Sequence, residues 1–190
     1  MAKTFEQGKD EVATLCAHFQ VNRDGFRACN EAQIRQQLIN PLFEALGWDV
    51  GNAEQVAPQY AEVLTEQSHE DDEGPRKAPD YTFRVGTLPK FYAEAKRCSV
   101  DISSDPAPAF QVRRYGWNPP GLSPCLLTNF EELGVYDCTV RPRQGDKASR
   151  SRISLYRFHE YAARWRDLWD IFSREAVWSG AFDQYAAAKR

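Results

Sequence analysis

Two carboxylates and an amine stand in the stretch PDYTFRVGTLPKFYAEAKR, residues 79–97, inside segments otherwise built like buried strands: Asp80, Glu94 and Lys96. Tyr81, Phe83 and Val85 alternate with Thr82 and Arg84, and Phe91, Ala93 and Ala95 alternate with Tyr92, Glu94 and Lys96, which is the period of two of a strand. Gly86 to Pro89 reads as the turn of an antiparallel hairpin. Facing residue numbers in such a pair sum to a constant, here about 174 to 176, so Asp80 lies opposite Glu94 or Lys96, or one residue off. An even sum puts all three side chains on one face, roughly 5 Å apart where directly opposed. That face suits a hard divalent cation that keeps several waters, as Mg²⁺ does, with the amine beside a metal-bound water. An exposed sheet face dotted with charges is the other reading of the same pattern.

The elements that must carry this hairpin follow from periodicity and punctuation. A helix is predicted over 4–20 and a second over 31–46, where Ile34, Leu38, Leu42 and Ala45 or Leu46 recur at helical spacing, Asn30 caps the start and Gly47 ends it. Pro41 should bend that helix. A first strand lies within QVAPQYAEVLT, residues 55–65, and EQSHEDDEGPRKA, residues 66–78, is too charged to pack and reads as a mobile loop. After the hairpin come a helix over 106–117, a buried strand in SPCLLTNF (123–130) and a strand in ELGVYDCT (132–139). A basic loop follows over 141–152, then a strand or helix start at ISLYRF, a helix over 158–175 and a last helix over 180–189. This order is α/β with a mixed central sheet flanked by helices.

Length and composition bound the function. The 190 residues suffice for one core with an appendage, and a net charge of −3 gives no global sign of nucleic-acid affinity, so any grip on DNA must be local or supplied by a partner. Five cysteines, none in a CxxC pair, argue against a zinc ribbon and fit reduced thiols in a cytoplasm. Signal peptide and membrane span are both absent from the sequence, so cytoplasmic location and no membrane partner are expected. The three histidines lack metal-ligand spacing, and NPPG, residues 118–121, reads as a helix stop and turn rather than a methyltransferase tetrapeptide. No P-loop is present.

Together the motifs resemble a known family. PDYTF followed by AEAK resembles the PD-(D/E)xK nuclease signature, with Asp80 as its first acid and Glu94, Ala95 and Lys96 as its second half. EAQIRQQLINPLFEALGWDV is similar to the helix preceding that signature in type IIG restriction enzymes and in type I restriction subunits, QVRRY matches their QxxxY extension, and LLTNFEELGVYD resembles the following strand pair. FSREAVWSG looks like the link to the rest of a type IIG polypeptide.

The resemblance implies a restriction-endonuclease-like core over 1–155 and, over 156–190, a C-terminal helical extension or linker to a methyltransferase region. It implies Mg²⁺, with Mn²⁺ able to substitute, held by Asp80, Glu94 and the carbonyl of Ala95 and supported by Glu31. Lys96 would orient or activate the attacking water, and Gln111 and Tyr115, four apart on a helix, would meet the hairpin. Apart from the resemblance, Arg113 and Arg114, and the basic loop that carries Arg141 and Arg143, read from their charge either as contacts to a DNA backbone or as solvated surface. The implied setting is a bacterial or archaeal restriction–modification enzyme acting on double-stranded DNA. Methyltransferase and target-recognition regions would lie outside these residues. Because one such site breaks one strand at a time, two copies are expected to pair transiently on DNA, with Trp165, Trp169 and Trp178 either as the hydrophobic surface between them or as a docking face for the rest of the protein. A catalytically silent nuclease fold serving binding or assembly, and a repair or defence nuclease outside restriction, are the alternatives.

Overall fold

The computed structural model describes residues 3–65, 69–71, 74–76, 78–118 and 122–188, with backbone alone at 69–71 and 74–76. Helix α1 (Phe5–Val21) opens at a capping box: Gln7 N donates to the Thr4 hydroxyl, and the Thr4 N–H donates to the Gln7 side chain. A short α2 (Arg23–Ala28) follows. The helix predicted as one piece over 31–46 has three: α3 (Glu31–Ile34), a π-helical turn (Arg35–Ile39) and α4 (Asn40–Ala45). Asn30 caps it as expected, and Pro41 marks the irregularity. Proline offers no N–H to the preceding turn, and Asn40 N–H reaches back to Arg35 O, five residues away, so the break is taken up as a wide turn rather than a simple bend.

The strands are β1 (Val63–Thr65), β2 (His69–Asp71), β3 (Gly74–Arg76), β4 (Tyr81–Val85), β5 (Leu88–Ala95), β6 (Cys125–Thr128), β7 (Glu132–Tyr136) and β8 (Arg152–Arg157). Six of them form one mixed sheet in the order β1-β4-β5-β6-β7-β8, in which β5 and β6 are parallel and every other pair is antiparallel. A parallel pair needs a crossover, and α5 (Pro106–Trp117) supplies it. Strands β2 and β3 pair as a separate hairpin, so the charged run expected to be a loop carries local antiparallel pairing in its described residues; 66–68, 72, 73 and 77 lie outside them. In NPPG, Asn118 ends α5 by donating to Arg114 O, and residues 119–121 lie outside the described residues. The segment at ISLYRF is a strand, and the helix expected over 158–175 is a 3₁₀ turn followed by α6 (Trp165–Phe172) and the start of α7 (Arg174–Trp178), with α8 (Ala181–Ala188) closing the chain.

The β4–β5 register decides where the carboxylates go. Tyr81 faces Ala93, Thr82 faces Tyr92 and Phe83 faces Phe91, an even sum, and a bulge follows between Phe83 and Arg84. The turn is two residues, Gly86 and Thr87, with Gly86 at φ +59°; Leu88 and Pro89 belong to β5. Because of the bulge Phe83 and Arg84 are both buried, and the Arg84 guanidinium donates to the carbonyls of Ala61 and Pro58, burial lowering its pKa. Odd-numbered β4 and β5 residues, Tyr81, Phe83, Phe91, Ala93 and Ala95, face one core shared by α1, α3–α4 and α6–α8. The opposite face packs against α5 through Ile102, Ala109, Val112, Cys125 and Leu127.

The C-terminal helices join the first core. Trp48 Nε1 donates to Phe172 O at 2.8 Å, and Trp165 and Trp169 are buried. The hydrophobic surface expected of three C-terminal tryptophans is therefore reduced to Trp178, which is 48% exposed, because the α6 ring pair turns inward against α1. No helix among the described residues is long and apolar enough to cross a membrane.

Candidate active site

Asp80 immediately precedes β4, where the hairpin ladder ends. Its Oδ2 accepts from the Ala95 N–H at 2.7 Å, two residues beyond the last β5 residue paired to β4. Glu94 is level with Leu127 of β6 and projects to the α5 face. It is 2% exposed; its Oε1 accepts from Lys96 Nζ at 2.5 Å, while its Oε2 is buried with no hydrogen-bond partner among the described residues. Burial, and then the Asp80 charge, push the Glu94 carboxyl up to about 7, against the opposing pull of Lys96. Lys96 extends the β5–β6 ladder through its N–H to Thr128 O. Burial would lower its pKa, but the charges of Glu94, Glu31 and Asp80 outweigh that and hold it above the ordinary lysine value.

The remaining expected residues fall in two groups. Glu31, in the first turn of α3, lies within electrostatic reach of both Glu94 and Lys96. On α5, Gln111 Nε2 donates to the Tyr115 hydroxyl at 3.1 Å; burial raises the Tyr115 pKa, and the charges of Glu94 and Asp80, within electrostatic reach, raise it further. The arginines separate. Arg114, Arg141 and Arg143 are exposed, whereas Arg113 is 1% exposed and donates to Asp146 at 2.9 Å. Arg113 faces away from Gln111 on the helix and so packs inward, offering nothing to a passing duplex.

Sequence reasoning missed Arg35. Its Nη1 lies 3.6 Å from Asp80 Oδ1, its guanidinium stacks 5.0 Å above the Tyr81 ring, and its Nε donates to the Tyr81 hydroxyl at 3.4 Å. Tyr81 in turn donates to Asn40 Oδ1 at 2.6 Å, tying both ends of the π-helical turn to the hairpin. The available signal was spacing: Arg35 stands one helical turn after Glu31. A cleft of about 720 Å³ lies elsewhere, at the ends of β5 and β6, but its charges are spent on one another, Arg23 and Arg27 both pairing with Glu131, and it contains neither Asp80 nor Glu94.

The donor set fits a hard cation. Two carboxylates brought together at strand ends repel each other, and one buried carboxylate oxygen lacks a donor; a divalent ion answers both. Among the described residues no three His, Cys, Asp or Glu side chains form a ready metal cage.

Residues 28–144 match the family described as the type I restriction enzyme R protein N terminus. The chain belongs to this family. It is also 39% identical over 178 residues to the type II restriction enzyme and methyltransferase RM.Eco57I of Escherichia coli, a match that covers 92% of this chain and 18% of the relative's length. No solved structure matches. Within this R-protein N-terminal family domain, the matched span contains Glu31, Arg35, Asp80, Glu94, Lys96, Gln111 and Tyr115.

Proposed function

We propose that this domain is a divalent-cation-dependent DNA endonuclease with a PD-(D/E)xK core, serving as the cleavage part of a restriction–modification enzyme. The observation that carries this reading is the convergence of Asp80, Glu94 and Lys96 at the end of the β4–β5 ladder, with a desolvated carboxylate oxygen left to be satisfied. Asp80, Glu94 and the Ala95 carbonyl would hold Mg²⁺ or Mn²⁺, with Glu31 in support. When bound, the ion supplies Lewis-acid stabilisation of charge at the scissile phosphate.

The chain's own residues do the rest. Asp80 is fixed by the Ala95 N–H and by Arg35, so one ligand position is set before any ion arrives. Lys96, kept charged by Glu94, serves as an ammonium donor to the attacking water or to a phosphate oxygen. Tyr115 and Gln111, joined by their hydrogen bond on α5, would wall the site on that side. Methylation would come from other regions or subunits working alongside this domain, as the name of the Escherichia coli relative, a restriction enzyme and methyltransferase, suggests, and target recognition would lie outside this domain as well. The test is nicking of supercoiled plasmid in Mg²⁺, Mn²⁺ and EDTA: cleavage in either cation that stops with EDTA supports the proposal, and metal-independent cleavage contradicts it.

A further inference from the structure

The segment 141–152 holds five basic residues against Asp146 alone, a net +4 in a chain whose total is −3. Such runs are usually solvated and shapeless, but this one is folded onto the α5 side of the sheet. Arg143 N–H donates to Asp146 Oδ2 at 2.9 Å, Tyr136 hydroxyl donates to Ala148 O at 3.1 Å, and Asp137 N–H donates to Ser151 O at 2.8 Å. Ala148 is 3% exposed and belongs to the same small core as Val112 and Leu127. The loop is thus closed on itself at Arg143 and fastened to the sheet at two points, Ala148 and Ser151, while Arg141, Arg143, Lys147 and Arg150 remain exposed.

Beneath the loop sits Arg113. Burying an arginine is expensive, and an apolar side chain of similar volume would ordinarily stabilise this place as well or better. Its Nε has no partner among the described residues, so it is not retained for a complete hydrogen-bond set. What it does is grip Asp146 at 2.9 Å and reach the Val140 carbonyl at 3.5 Å, pinning the loop from below.

We propose that residues 141–152 form a pre-ordered cationic platform for the phosphate backbone of duplex DNA, and that the pair formed by buried Arg113 and half-buried Asp146 is the lock that orders it. The proposal rests on reading the chain as acting on DNA and adds the surface that holds it. Lys147 and Arg150 join Arg141 and Arg143 in contact, and Arg113 acts through Asp146 as a positioning residue. Four exposed cations on a fixed backbone meet phosphates without the ordering cost of a floppy tail.

The experiment is anisotropy of a labelled DNA duplex against the whole 190-residue chain in EDTA, from about 50 to 200 mM salt. Replacing Arg141, Arg143, Lys147 and Arg150 together by Gln should weaken binding at least about tenfold and flatten the salt slope by up to about 3.6, since each phosphate contact contributes about 0.9. Unchanged affinity and slope overturn the platform. Lys9→Gln with Arg166→Gln, exposed cations on other elements, should leave the slope alone; an equal loss there means a general charge effect and also overturns it. Arg113→Met keeps every loop charge, and should lose affinity several-fold while opening the loop to trypsin at Arg143 or Lys147. Asp146→Asn reads the same lock if Arg113→Met does not fold. Wild-type affinity and trypsin resistance in a folded lock variant refute the lock. Loop-dependent binding in a protein that cuts plasmid in no divalent cation would sink the nuclease reading and leave this one standing.

Discussion

Glu94 meets two opposed demands: as the proposed cation ligand it would have to be ionised, yet it is buried, within electrostatic reach of Asp80, and its carboxyl is raised to about 7. In a metal-free protein the folded state therefore holds the Glu94 proton more tightly than the unfolded chain, whose value is near 4.5. That difference favours folding fully below the unfolded value and is lost as pH rises through about 7, amounting to on the order of 3 kcal/mol. Urea unfolding in EDTA at about pH 5 and about pH 8 should show wild type losing stability relative to Glu94→Gln across that window, and Mg²⁺ should restore it at the higher pH. A pH-independent difference between the two proteins would contradict this account of Glu94. Arg35 makes a second residue-level case. Arg35→Lys keeps the charge but not the planar fork that spans Asp80 and Tyr81, so cleavage should fall about tenfold while the fold is kept. A rate equal to wild type would remove Arg35 from the site. Asp80, Glu94 and Lys96 were visible in the sequence because strand periodicity is local. Arg35 was not, because it reaches Asp80 only after α3 has docked across the hairpin.

At the scale of elements, the hairpin was legible and its details were not. Alternation gave β4 and β5 and allowed the even register, but the bulge that buries Arg84 depends on the carbonyls of Ala61 and Pro58, which arrive from another segment. Pro41 announced an irregular helix without saying that it would be a π-helical turn carrying Arg35. The tryptophans of α6 were read as surface because nothing in their own segment shows that α1 lies against them. Gly8 is where that contact is tightest. A Cβ there would meet Ala45 O at 2.3 Å and a Trp169 ring carbon at 2.9 Å, and the first of these is backbone that no rotamer change relieves. Gly8→Ala should therefore part α1 from α4 and cost about 1 to 3 kcal/mol in urea unfolding, despite alanine's better helix propensity. A neutral or stabilising effect would show that the helices have slack.

For the whole molecule, one set of Asp80, Glu94 and Lys96 would cut one strand at a time under the proposed function, and reaching the opposite strand would call for a second copy or a second event. With Trp165 and Trp169 buried, no broad tryptophan face demands a permanent dimer, so copies should meet only on DNA. In the complete enzyme, conversion of nicked to linear plasmid should accelerate with protein concentration, and concentration-independent double-strand cutting by a monomer would exclude pairing. The central claim is narrower: the carboxylates at the end of the β4–β5 ladder are a metal-dependent cleavage centre. The most direct measurement is the initial nicking rate of supercoiled plasmid in Mn²⁺ by Asp80→Ala beside wild type, both confirmed folded. A loss of at least about 10²-fold is predicted, the scale of removing one stabiliser of transition-state charge, and near-wild-type nicking by Asp80→Ala would contradict the account.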